Sequence, residues 1–174
     1  MRNKMKLSVI VILLFAGSAQ YIQVTGQYQS KDWKNHYDAI EVVPFEVPAN
    51  IDLPQDYRTR MMDDVVKDLR RLNKFKEVLG APETSREPTS TIRLEGTVIR
   101  YKHGSRGKRL VAIGLAGDTK IDAHVRFVDK ATGKLLLEAD VDGQVYTGLL
   151  GGRPDGAPTG IGKDVAKIAK KVFF

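Results

Sequence analysis

Three stretches in the second half of the chain alternate between apolar and polar side chains, and this alternation limits the fold more than any other feature. Ile92, Leu94, Gly96 and Val98 interleave with Arg93, Glu95 and Thr97. Ile121, Ala123, Val125 and Phe127 interleave with Asp122, His124 and Arg126. Leu135, Leu137, Ala139, Val141 and Val145 do the same with Glu138, Asp140, Asp142 and Gln144. Successive side chains of a strand point to opposite faces, so this pattern describes a sheet covered on one side and wet on the other. The turn Asp129–Gly133 joins the last two runs as an antiparallel hairpin, with Gly133 suited to a positive φ.

A sheet with one apolar face needs a cover, and two segments have helical period. From Gln55 to Asn73 the apolar residues Met62, Val65, Leu69 and Leu72 form a stripe. Arg58, Arg60, Asp63, Lys67, Asp68, Arg70 and Arg71 fall on the opposite face. From Thr159 to Phe174 the stripe is Ile161, Val165, Ile168 and Val172, Lys163, Lys167, Lys170 and Lys171 face away, and Thr159 is the expected N-cap. Gly160 and Gly162 weaken the first turn of that helix.

Ahead of the first helix, Ala39–Val47 reads as a strand that Pro44 confines to a sheet edge or breaks with a bulge, because proline has no N–H for the ladder. Phe75–Leu79 reads as a short strand ended by Gly80 and Pro82. The order predicts an α+β fold, a two-layer sandwich of one mostly antiparallel sheet covered by two helices. The 174 residues, 42% of them apolar, fit one such domain over 39–174.

The N-terminus reads as a secretion signal over residues 1–19. Arg2, Lys4 and Lys6 precede the apolar run Leu7–Ala16, and the small residues Gly17, Ser18 and Ala19 place cleavage after Ala19. The run is about half the roughly 20 residues that a membrane span needs. Residues 20–38 form an extended lead-in, with Trp33 and Tyr37 packing on the domain. Leu14–Ser18 has the layout of a lipoprotein box with Ser18 where the lipid-bearing cysteine would stand. A hydroxyl cannot form that thioether, so no lipid anchor and no transmembrane segment is expected in a mature chain that is periplasmic or secreted.

Removing the leader takes three of the 28 basic residues and leaves 25 against 21 acidic ones, a net charge of +4. That excess is too mild for a nucleic-acid partner. Zero cysteines exclude disulfides, thiolate metal sites and a cysteine nucleophile.

Two glycine-rich loops are the most unusual segments. Residues 103–117, HGSRGKRLVAIGLAG, carry Arg106, Lys108 and Arg109 among glycines, a composition that presents N–H groups and charge to an anion or partner, or that simply packs tightly. The segment lacks the length and the Ser or Thr of a phosphate-binding P-loop. Leu149 and Leu150, inside Gly148–Gly156, are either a partner-docking tip or tucked beneath the last helix. His36, His103 and His124 are too far apart for a metal motif, so neither metal nor cofactor is expected. Glu138, Asp140 and Asp142 share a strand face and with His124 are the only acid–base set on offer. No Ser lies in a nucleophile-elbow context. The helix lysines and arginines form either a solvated face or a basic surface toward anionic envelope polymers.

From Thr91 to Gly152 the chain resembles the bacterial envelope family catalogued as domain of unknown function 4410. The matching pieces are His103-Gly-Ser-Arg106, Arg109, Gly114-Leu-Ala-Gly117, Val125-Arg-Phe-Val-Asp129, Thr132-Gly133 and Gly148-Leu-Leu-Gly-Gly152. The resemblance implies export and an envelope setting, often with a lipoprotein anchor from which Ser18 departs, and it implies no particular activity. The leading expectation is a non-enzymatic module that binds an envelope protein or stabilises an assembly. The alternatives are a hydrolase built on His124 and the acids at 138–142, and a carrier of a small molecule or anion, which needs a pocket between helix and sheet.

Overall fold

The computed structural model describes residues 9–14, 21–26, 36–103, 119–144 and 156–174. In chain order the elements are β1 (Val9–Leu14), β2 (Tyr21–Gly26), β3 (Ala39–Val42), α1 (Gln55–Arg71), β4 (Glu77–Gly80), β5 (Thr91–Lys102), β6 (Lys120–Asp129), β7 (Leu135–Gln144) and α2 (Gly156–Phe173). The five domain strands form one mixed sheet in the order β7-β6-β5-β3-β4, and β2 followed by β1 continue it beyond β7. β1 lies within the expected export leader and β2 within the expected lead-in. Trp33 lies outside the described residues, whereas Tyr37 is buried and donates to Asp129 Oδ2 at 2.9 Å.

The alternating runs become the antiparallel meander β5-β6-β7, in which Val125 stands opposite both Gly96 and Ala139. Their apolar residues are fully buried on one face, from Ile92 and Leu94 through Ile121, Val125 and Phe127 to Leu137 and Ala139. At the far end of β6 the ladder shifts register between Phe127 and Val128, and Leu136 is buried beside Leu137 instead of the expected Leu135. Gly133 closes the β6–β7 turn at φ +69°, and Asp129 Oδ1 accepts the Thr132 N–H and hydroxyl at 2.8 and 2.7 Å.

β3 runs parallel to β5 on one side and to β4 on the other, with α1 as the crossover between β3 and β4. Pro44 therefore does not mark a sheet edge. It follows the end of an interior strand, and the chain rejoins β5 through a single bridge from Glu46 to Thr97. The edge strand of the domain is β4. Its Val78 carbonyl accepts two hydrogen bonds from the Arg70 guanidinium, at 3.2 and 3.0 Å, which covers part of an edge that would otherwise invite pairing with another chain.

Both helices cover the apolar face, α1 against β3, β4 and α2, and α2 against β6 and β7. Phe173 packs its ring on Phe127 at 5.5 Å and on Tyr37 at 6.0 Å. The C-terminus of α2 therefore sits over the Asp129 end of the sheet. In α1 Val65 and Leu69 are buried as expected, but Met61 takes the place of Met62 in the core and Asp68 that of Leu72. Met61, Val65, Asp68 and Leu69 are buried, Met62 and Leu72 only partly. Asp68, expected on the wet face, is buried because α2 packs over it, and one of its oxygens has no hydrogen-bond partner. Helix α2 begins at Gly156, so Thr159 is not its N-cap. Its hydroxyl instead donates to Asp64 Oδ2 on α1 at 2.7 Å.

A buried ion pair ties the lower end together. Lys130 Nζ donates to Glu41 Oε2 at 2.5 Å and to the Ser85 carbonyl at 3.1 Å, and the Ser85 N–H donates to the same carboxylate. β3, the loop before β5 and the β6–β7 turn thus share one anchor, whose loss on one side would leave a buried charge uncompensated.

Gly162 sets the distance between the helices. A Cβ there would stand 2.7 Å from the Asp64 carbonyl oxygen and 3.0 Å from Asp68 Oδ2. The glycine that weakens the start of α2 is thus what allows the two backbones to meet. Gly162→Ala should gain helix propensity yet lose about 1–3 kcal/mol of stability through overpacking. Urea denaturation checks this, since a neutral or stabilising alanine would mean the helices are not in contact at this point.

Candidate functional site

Three strands end together on the side away from the Asp129 turn. Lys102, the last residue of β5, stands opposite Lys120, the first of β6, and Lys120 stands opposite Gln144, the last of β7. The connection after β5 and the connection after β7 therefore leave from one edge of the sheet, with stems two strand spacings, about 10 Å, apart. These connections carry Arg106, Lys108, Arg109, Leu149 and Leu150, which lie outside the described residues. Their stems are brought together by register alone, a juxtaposition that neither loop predicts by itself.

The same end holds a residue that sequence reading overlooked. The β5–β6 register shifts between Val98 and Arg100, and the intervening Ile99 is 50% exposed, the one large apolar side chain so placed among the described residues. Ile99 continues the outward face of Arg93, Glu95 and Thr97, and the bulge turns Arg100 out beside it. The trace of the bulge in the sequence is the broken alternation Val98-Ile99-Arg100. Next to it Tyr101 returns to register and packs edge-on against Tyr57 at 5.9 Å. Its hydroxyl is buried without a partner, and that burial raises its pKa above that of an ordinary phenol.

The wet face of the sheet carries cross-strand rows of charge. Glu95, Arg126 and Glu138 form one row, Thr97, His124 and Asp140 the next, and Arg100, Asp122 and Asp142 the third. Arg126 donates to Glu95 at 3.0 Å and Arg100 pairs with Asp122. His124 Nδ1 lies 2.7 Å from Asp140, and its Nε2 3.5 Å from Glu138. The structure thus brings His124 together with two of the expected acids and assigns Asp142 elsewhere. Both ring nitrogens face carboxylates of β7, while the hydroxyl of Thr97 belongs to the strand on the other side. A cavity of about 260 Å³ beside this row is lined by Glu46, Glu95, Thr97, His124 and Arg126. It falls below the roughly 300–1,000 Å³ usual for ligand pockets.

On this face of the sheet Asp142 sits in an environment that opposes its charge. Burial pushes its pKa up, the facing Asp122 adds to this, and Lys120, Arg100 and Lys167 oppose it. A raised folded-state pKa means the fold disfavours the ionised form. The cost is present above the folded pKa and is relieved as falling pH protonates the group. Asp142→Asn should therefore raise the urea midpoint at pH 7, with the gain shrinking as the pH falls through the carboxylate range. An equal effect at both ends of that range would contradict this assignment.

The fold and this end define a two-layer α+β domain with paired loop stems at one edge of its sheet. No helix among the described residues is long and apolar enough to cross a membrane. A family model described as domain of unknown function (DUF4410) matches residues 18–148, and the chain belongs to that family. Among solved structures it is similar to PelC of Paraburkholderia phytofirmans, solved as a dodecamer, at 15% identity over 83% of this chain and 94% of that one, with a TM-score of 0.57. It is also similar to a Xanthomonas campestris protein of family DUF330, at 10% identity over 81% and 84% of the two chains, with a TM-score of 0.51. At these identities the likeness is one of fold. No curated protein matches the chain.

Proposed function

We propose that this chain is an exported envelope protein, cleaved after Ala19, whose domain binds an envelope protein partner through the loop-bearing end of its sheet. The observation that carries this reading is the row Lys102, Lys120, Gln144, from which the stems of both glycine-rich connections leave one edge of the sheet, near the exposed Ile99. Recognition residues are disproportionately carried on connections that a rigid scaffold positions, and the meander is such a scaffold. Export rests on the charge layout of residues 1–19, and the absence of an anchor on Ser18. Arg106, Lys108 and Arg109 would supply polar contacts in this interface, and Leu149 and Leu150, with Ile99, its apolar part.

A second reading, hydrolysis at His124, draws on one observation, the 2.7 Å contact with Asp140. His124→Ala with an intact fold and no cellular phenotype would remove it.

In-cell photo-crosslinking tests the binding reading. A photoreactive residue at Arg106 or Leu149 should capture the same partner, identified by mass spectrometry, and one at Lys134 in the opposite turn should not. Ile99→Asp should cut capture several-fold while changing stability by no more than about 0.5 kcal/mol, as expected for an exposed site. Equal capture from both ends of the sheet, or none from the loops, would contradict it.

A further inference from the structure

A second cleft lies on a different side of the molecule, between α1 and the chain leaving β4. Its volume is about 640 Å³. That is within the roughly 300–1,000 Å³ range of small-molecule sites. The exchange of Met61 for Met62 on the buried side of α1 explains how it arises. Met61 and Val65 turn into the core, and Met62 and Val66, one helical turn apart, are left half-buried as the apolar wall of the cleft. Pro44 and Pro82 complete this apolar surface. Gly80 closes its floor, because a Cβ there would stand 2.9 Å from Val66 Cγ2. A methionine on such a wall adapts readily to different apolar shapes.

The rim is polar and its charges balance. Asp63, Lys67 and Arg70 recur along one face of α1, and Glu83 stands across from them. Arg70 is held in place by the Val78 carbonyl and lies 3.7 Å from Glu83, while Lys67 reaches only a distant Asp64 oxygen at 3.8 Å. From Thr59 to Arg70 the cleft follows eleven helical steps, about 16 Å. Two cations and two acids around an apolar floor do not favour a ligand of single charge. They complement one that carries both.

We infer that this cleft binds a small zwitterionic amphiphile, with its apolar body against Met62 and Val66, its acidic group toward Lys67 and Arg70, and its ammonium toward Asp63 and Glu83. The same pair of charges occurs on a phosphoethanolamine lipid and on a short apolar peptide, so the chemistry names the class and the experiment separates the sources. The site is independent of the loop-bearing end, and each can fail without the other.

Isothermal titration of the purified full chain decides it. The zwitterionic probes are dihexanoyl phosphatidylethanolamine and leucyl-leucine, both used as monomers, and hexyl phosphate and hexylamine are the single-charge controls. One zwitterion should bind saturably and at least about ten-fold more tightly than either control, a difference of about 1.4 kcal/mol. Which of the two binds identifies the source. Met62→Trp, which fills the cleft from its half-exposed wall, should weaken binding by about ten-fold or more with an unchanged circular dichroism spectrum. Asp63→Lys, at an exposed position, should shift preference to hexyl phosphate. No saturable binding of either zwitterion, equal binding of a control, or indifference to both substitutions would overturn the inference.

Discussion

The register of β6 against its two neighbours is the constraint on which the rest of the structure depends. β6 is paired along both edges, and each of its inward residues, from Ile121 to Phe127, faces apolar or small residues on β5 and β7. Because side chains alternate strictly, a slip of one residue would bring Asp122, His124 and Arg126 beneath the helices. The cost of burying those charges holds the register, and the register then determines which residues end the strands. Lys102, Lys120 and Gln144 meet in one row for that reason, and the two glycine-rich connections start side by side as a consequence.

The helices add a second level of constraint. Their apolar faces meet the sheet, but their approach to one another depends on the absence of a side chain at Gly162 and on the Thr159–Asp64 hydrogen bond. This contact buries Asp68, and Met61 turns inward on the same helix. Met62 and Val66 then remain at the surface beside β4. The core and the cleft are thus two results of one helix orientation. Arg70, at the end of the same face, covers the free carbonyl of Val78, so the edge strand and the cleft rim share a residue.

Much of this was legible in the sequence, for identifiable reasons. Alternation in the meander, the Asp129–Gly133 turn and the stripe of α2 are local patterns with a single physical meaning, and each is present in the structure. The phase of α1 was less legible, because adjacent Met61 and Met62 satisfy helical spacing equally well and only the position of α2 chooses between them. Asp68 was assigned to solvent on polarity, and its burial depends on a partner helix about ninety residues further along the chain. Pro44 allowed two readings that differ in tertiary context alone. Ile99 left a trace, two apolar neighbours within an alternating run, but a bulge depends on how the next strand pairs. The proximity of the loop stems was invisible because it is a property of three strands at once, although the family to which the chain belongs was recognisable from the motifs within the loops and strands.

Cross-strand register at the loop-bearing end is the central claim, and the chain is suited to a direct test because it contains no cysteine. Cysteine pairs at Lys102 with Lys120, and at Lys120 with Gln144, would be oxidised under native conditions and the disulfides mapped by mass spectrometry. Directly opposed strand positions lie within about 4.5–5.5 Å of each other, inside the range a disulfide spans. The account predicts that both pairs close within a single chain, while pairs displaced by one residue, such as Tyr101 with Lys120, remain reduced. Closure of the displaced pairs in preference to the opposed ones would contradict the register and, with it, the placing of both loops at one end of the sheet.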